Sequence, residues 1–219
     1  KFPVAELREI GYGAVYSGQP TYNGVALLSR LDTVGEASDV RLGNPLLADE
    51  QKRLIAARFG DIDVYCAYFP NGQAPDSPKF TYKLAWIDAL RQWLDSTRDG
   101  VPRILLGDFN IAPEDRDVHD PAAWEGKIHC TEPERARFRA LLDAGFIDAF
   151  RRFEQPERSY SWWDYRMLGF RRNAGLRIDF GLVDERIADR LRGCTIDREP
   201  RKLEKPSDHA PVTLELAPA

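Results

Sequence analysis

Cysteine is scarce and poorly placed for chemistry: Cys66, Cys130 and Cys194 are odd in number, far apart and without a CxxC spacing. Neither a disulfide framework nor a zinc site is suggested, and a reducing, cytoplasmic setting is the expectation. No nucleophile-elbow motif occurs, and Cys66 falls in a core-like strand, so serine and cysteine catalysis are set aside. No apolar run approaches the roughly 20 residues that span a bilayer. Lys1-Phe2-Pro3-Val4-Ala5-Glu6 has no signal-peptide core. Repeats and linkers are also missing, so one domain over residues 1–219 is expected, monomeric and without a membrane partner. Excess positive charge is lacking as well. The net charge of −4 by itself argues against a nucleic-acid partner. Its distribution softens that, because residues 151–206 hold 14 Lys/Arg against 10 Asp/Glu. An acidic protein binds phosphates where a metal ion and a local basic surface meet them.

What is present is an ordinary globular balance, 43% hydrophobic and 30% charged, enough to bury a core. Strands at 12–16 and 25–29 flank the turn pair Asn23-Gly24. A second hairpin is signalled at 53–59 and 62–69, with Ile62, Val64, Cys66 and Tyr68 on one face. Leu84, Ile87, Leu90, Arg91 and Leu94 recur at helical spacing across 82–97, and Trp86 and Trp93 widen the apolar face. Residues 103–109 read as a buried strand running into Gly107-Asp108. Thr131-Glu132-Pro133-Glu134 is a capping box that opens a helix reaching Leu142 and stopping at Gly145. Strands follow at 176–183 and 211–216, with a short helix at 184–191 between them. This order predicts a mixed α/β domain of two sheets packed face to face, with helices outside. Segment 110–130 is too long to be an idle loop and is expected over a site.

Four segments at strand ends or loops carry polar chemistry. In Gly107-Asp108-Phe109-Asn110 a carboxylate and an amide lie two residues apart, on one side if the strand continues. Such a pair can orient a water and hold a phosphate oxygen; equally, it can serve only a turn. Ser207-Asp208-His209 precedes the last strand and supplies a histidine able to donate a proton or stabilise charge. A histidine in that role needs a carboxylate behind it. Asp179 is the candidate, because an acid inside an apolar strand is costly unless paired. Tyr68 and Asn71 in Tyr68-Phe69-Pro70-Asn71-Gly72 can hydrogen-bond phosphate, or simply end a strand. The aromatic stretch Ser161-Trp162-Trp163-Asp164-Tyr165-Arg166 offers packing for bases or sugars, or for the core. Together these residues suit metal-assisted phosphodiester hydrolysis.

These segments, with Asn23-Gly24-Val25-Ala26, Ile111-Ala112-Pro113, Gly175-Leu176-Arg177-Ile178-Asp179 and Ala210-Pro211-Val212, occur in an order that resembles the exonuclease III family of the endonuclease/exonuclease/phosphatase superfamily. The resemblance implies a DNase I-like four-layer α/β sandwich of two mixed sheets flanked by helices. It implies incision 5′ to abasic sites and 3′→5′ removal of nucleotides from duplex DNA, with Mg²⁺ or Mn²⁺. Asp108 would orient or deprotonate the attacking water, Asn110 would position it, and His209 backed by Asp179 would contact phosphate. Tyr68 and Asn71 would bind phosphate. Trp162, Leu176 and Ile178 would form the pocket for a flipped-out abasic sugar, with Arg166 and Arg177 beside it on the substrate side. Asp208, with Asp108 and Asn110, would serve the metal. The family's first two strands, and the Gln-Glu-Thr segment whose glutamate is its main metal ligand, have no counterpart in these 219 residues. The domain is therefore expected to be N-terminally truncated and its activity impaired. Two competing readings are a phosphatase of small phosphoesters and an inactive DNA-binding remnant.

Overall fold

The computed structural model describes residues 2–218. Along the chain run α1 (Val4–Glu9), β1 (Tyr12–Gly18), β2 (Gly24–Arg30), β3 (Ser38–Leu42), β4 (Leu54–Phe59), β5 (Ile62–Tyr68), α2 (Pro78–Ser96) and β6 (Arg103–Asp108). After them come α3 (Pro121–Trp124), α4 (Glu132–Asp143), β7 (Phe146–Asp148), β8 (Trp162–Trp163), β9 (Gly175–Leu176), β10 (Asp179–Asp184), β11 (Leu191–Ile196) and β12 (Val212–Leu216). Both hairpins form: β1 pairs with β2 and β4 with β5, each antiparallel. The first connection is longer than the tight turn expected: Asn23, with φ 61°, ends the loop 19–23, and Gly24 already pairs with Gly18 in the ladder. The capping box is in place, with Thr131 accepting from the Glu134 amide while Glu134 reaches back to the Thr131 amide.

Six strands form one sheet in the order β3-β4-β5-β6-β10-β7, and its period-2 alternation sorts the core into two layers. Tyr65, Ala67, Leu105, Phe180 and Leu182 face α2 and α4 and meet Trp86, Leu90 and Phe138. On the opposite face, Val25 and Leu27 of β2 cover Ile55 and Ala57, while Leu214 and Leu216 of β12 lie over Ile104 and Val183. The second sheet is thus present as two separate ribbons, β1–β2 and β11–β12. Val64 touches both apolar clusters, and it, Cys66 and Leu106 stay only half-buried.

The structure departs from the sequence reading in four further places. Helix α1 and strands β3, β7, β8 and β11 were not anticipated. β3 is short and mostly exposed, β7 spans three residues, and β11 follows directly on the turn of 3-10 helix over Glu185–Arg190 that replaces the expected helix. The expected strand 176–183 is broken: Gly175–Leu176 pairs with Trp162–Trp163, and Asp179 begins a new strand beside β6. Segment 110–130 carries short helical turns and is tied down, with the Ala112 amide donating to the His129 carbonyl at 2.8 Å.

Two details bring the polar strand ends together. Gly107 has φ +141°, and a Cβ there would lie 1.9 Å from the Ala67 carbonyl oxygen of the neighbouring strand, so only glycine allows β5 and β6 this approach. Ser161, fully buried, accepts hydrogen bonds at Oγ from the amides of Ile178 and Asp179, each at 3.0 Å. Its carbonyl accepts from the Ala210 amide at 2.7 Å. Ser161 therefore joins the break before β10 to the segment before β12. Replacing it with alanine leaves two buried amides unpartnered, and Ser161→Ala is expected to cost about 1–3 kcal/mol by urea denaturation; unchanged stability would show that the two amides find other partners.

Candidate active site

The sheet register assembles the centre. Tyr68 and Asp108 are register partners across the parallel pair β5–β6, and Asp108 and Asp179 are partners across the antiparallel pair β6–β10. Tyr68, Asp108 and Asp179 thus form a row at one end of three adjacent strands. His209 reaches this row from the segment before β12, which bridges to Trp162. Its Nδ1 donates to Asp179 Oδ2 at 2.8 Å and Oδ1 at 3.0 Å. The carboxylate expected behind the histidine is the one observed.

Asn110 comes back to Asp108 by a different route from the expected one. The strand stops at Asp108 and Asn110 turns over with φ +52°. Its amide donates to Asp108 Oδ1 at 2.8 Å and its Nδ2 to Asp108 Oδ2 at 2.9 Å. Asn110 Oδ1 accepts from Asn71 Nδ2 at 3.2 Å. Asn71, Asn110 and Asp108 therefore form one hydrogen-bonded chain beside the Asp179–His209 pair.

Electrostatics separate the two acids. Burial and then the charge of Asp179 push the Asp108 carboxyl up to about 7, against the opposing pull of His209, the Asn110 amide and Lys83. Burial lowers the affinity of His209 for its proton, but the hydrogen bond and charge of Asp179, aided by Asp108 and Asp208, outweigh it and raise His209 to about 9. Near neutral pH this places a carboxyl that exchanges its proton next to an imidazolium that keeps its own.

Several expected site residues lie elsewhere in role. Arg177 is buried, with Nε on Asp117 at 2.7 Å and Nη2 on Asp148 at 2.8 Å; the two carboxylates offset the cost of burying its charge. It pins segment 110–130 to β7. Leu176 and Ile178 are buried under Ala112, Val118 and Cys130, with Trp124 and Trp162 packed against them. They are core in this structure, not walls of an open pocket. Trp162 is half-buried and donates through Nε1 to Asp208 Oδ2 at 3.0 Å. Arg166 is exposed and folds onto Asp164, with Nη2 at 2.7 Å from Oδ2, instead of reaching the row. Among the described residues, no three of His, Cys, Asp and Glu come together to hold a metal ion. Asp108 accepts from Asn110 at both oxygens and Asp208 accepts from Trp162, which leaves each carboxylate further lone pairs for a cation.

Sequence reasoning missed the surroundings of Tyr68. A cleft of about 760 Å³ opens beside Tyr68 and Asn71, lined also by Asn23, Gln51, Arg53 and Lys79. The Arg53 guanidinium sits 4.8 Å from the Tyr68 ring centre. Arg53 and Tyr68 begin and end the hairpin, and that pairing was the available signal. Tyr165, Met167 and Leu168 are exposed large apolar residues in a segment that also exposes Arg166, Arg171 and Arg172, a mixed aromatic and basic surface.

Known proteins are similar to this chain in sequence and fold. Exodeoxyribonuclease III of Haemophilus influenzae is 36% identical over 229 residues, covering 98% of this chain and 84% of its own length. The structure of a variant of the 3′ phosphatase NExo from Neisseria, bound to a product DNA hairpin, superposes with a TM-score of 0.94 at 46% identity, over 99% of this chain and 83% of that one. An AP endonuclease from Archaeoglobus fulgidus superposes with a TM-score of 0.92 at 38% identity, again over 99% and 83%. The two-sheet fold is therefore that of DNase I-like exonucleases and AP endonucleases. With a family profile matching residues 2–209, the chain belongs to the Endonuclease/Exonuclease/phosphatase family.

Proposed function

We propose that this chain is a DNA-repair nuclease that hydrolyses phosphodiester bonds in duplex DNA, working as a monomer in a reducing, cytoplasmic setting. Its activities on this reading are removal of nucleotides from 3′ ends and incision 5′ to abasic sites. The observation that carries the reading is the Asp108 carboxyl, held near neutrality beside the Asp179–His209 pair. Asp108 takes a proton from the attacking water, which Asn110 holds in line. His209, kept protonated by Asp179, neutralises the charge that grows on a phosphate oxygen. Tyr68 and Asn71 grip the phosphate from the cleft side, and Arg53 and Lys79 line the cleft where adjoining phosphates would run. The names of the similar proteins, a 3′ phosphatase with DNA product and an AP endonuclease, support the same substrate.

Mg²⁺ or Mn²⁺ is the proposed cofactor, and its chemistry is to neutralise phosphate charge. Asp208 and Asp108 would hold it, in keeping with a cation that takes one or two carboxylates together with water and substrate phosphate. Incision at abasic sites needs room for a flipped sugar, yet Leu176 and Ile178 are sealed beneath Trp124 and Trp162. On this geometry the 3′-end activity leads.

Four outcomes are expected. Asp108→Asn and His209→Ala each lower kcat on a recessed 3′ end by about a hundredfold or more; near-normal rates in either would mean the centre lies elsewhere. Removal of 3′ nucleotides should outpace cleavage of the same duplex carrying an internal abasic site, in parallel gel assays with Mg²⁺. Faster abasic cleavage would show that the sealed cluster opens readily, and activity confined to inositol phosphates would assign a small-phosphoester phosphatase instead. The rate should rise with pH through about 7 as Asp108 loses its proton, and fall through about 9 as His209 loses its own. The same raised histidine value stabilises the fold, with its contribution complete below the ordinary 6.5 and lost as pH rises through about 9. Urea midpoints measured from pH 6 to 10 should fall across that window in the wild type and less so in Asp179→Asn.

A further inference from the structure

We infer that Lys83 is a positioning residue, which holds the Asn71 and Asn110 loops in register from beneath the active site. Lys83 lies on α2 and is fully buried, as is its partner Glu134 on α4. An ammonium group has three hydrogens to place. Here Nζ donates to the Asn110 carbonyl at 2.6 Å, to the Asn71 carbonyl at 3.2 Å and to the Glu134 carboxylate. Two of its three partners are thus backbone atoms of residues in the hydrogen-bonded chain leading to Asp108.

The surroundings give those contacts leverage. Asn71 follows β5 and Asn110 follows β6, so one nitrogen atom spans the exits of two neighbouring strands. Asn110 takes a positive φ, which asparagine tolerates better than most residues, and its carbonyl is held by donors from beneath. Its carbonyl takes a second donor, His129 Nδ1 at 2.6 Å. Burial and the charge of Lys83 depress His129 to about 4, so the imidazole is neutral at pH 7. Glu134 in turn accepts from the amides of His129 and Thr131, each at 3.1 Å. The loop packs on the lysine stem as well: a Cβ at Gly72 would come within 3.0 Å of Lys83 Cδ.

A buried ion pair is a poor route to stability, because a well-packed apolar pair of similar volume is often as good or better. What an apolar pair does not supply is directed donors to two carbonyls. That is the role assigned to Lys83, and its effect on rate rests on the nuclease reading above.

The experiment uses the full chain and Lys83→Met/Glu134→Gln, which strands no charge. Expected on a recessed 3′ end is a fall in kcat of about tenfold to a hundredfold, with KM within about twofold of wild type. In an Asn110→Ala background the same pair of substitutions should cost less than about twofold more, since the route through Asn110 is already gone. Hydrogen exchange should rise about tenfold at residues 69–73 and 109–112, while the middle of α2 and of α4 stays within about twofold. Glu134→Gln alone removes the counter-charge of Lys83 but keeps its carbonyl contacts, and should lose less kcat than the double variant. Should the double variant not fold, Lys83→Leu/Glu134→Gln, which also lacks a donor at position 83, takes its place with the same expectations. Full kcat in a folded double variant, an equal loss in the Asn110→Ala background, or faster exchange spread evenly over α2 and α4 would each overturn the proposal. A wild type that leaves DNA uncut would sink the nuclease reading alone, and the exchange measurement would still decide the role of Lys83.

Discussion

The antiparallel pairing of β6 with β10 is the constraint on which this molecule turns, because it sets Asp108 and Asp179 directly opposite one another. Like charges at facing positions destabilise a sheet, and burial deepens the conflict. The chain resolves it with a proton shared out unequally: His209 arrives as a cation against Asp179, and Asp108 gives up some of its acidity. Everything that delivers His209 is therefore part of the same arrangement. Its segment bridges Trp162, and Ser161 joins that strand to the amides of Ile178 and Asp179.

Much of this could be read from residue order. Asp179 was recognisable as a paired acid because an unpaired carboxylate inside an apolar strand costs too much to keep. The Gly60-Asp61 turn and the Thr131–Glu134 box are local signals and are found where expected, since their physics acts over a few residues. Tyr68, Asn71, Asp108, Asn110, Asp179 and His209 do converge, because each ends or precedes a strand of the same sheet or of the ribbon against it.

What was not legible depends on partners distant in sequence. Arg177 stands among site residues in the chain, yet Asp117 and Asp148 draw it into the interior. Lys83 looks like one more polar residue on a helix until Glu134 is found 51 positions away. The break at 177–178 had no signal in a run as apolar as Leu176-Arg177-Ile178, and it appears only because Ser161 offers those amides an alternative to the sheet ladder. Strands β3 and β7 are too short or too exposed to show alternation. The sealing of Leu176 and Ile178 likewise needs segment 110–130 folded over them, which no local pattern announces.

Gly107 ties the architecture to the chemistry in one further respect. Because the Ala67 carbonyl occupies the place of its missing side chain, any of the nineteen alternatives would push β5 from β6 one residue before Asp108. The displacement would fall first on the Tyr68–Asp108 register and then on its neighbour Asp179. Sequence change can reach the cleft, the basic surface and the ribbons piecemeal. At this position scaffold and catalyst are a single heritable unit, and drift in one is closed off unless the other is abandoned.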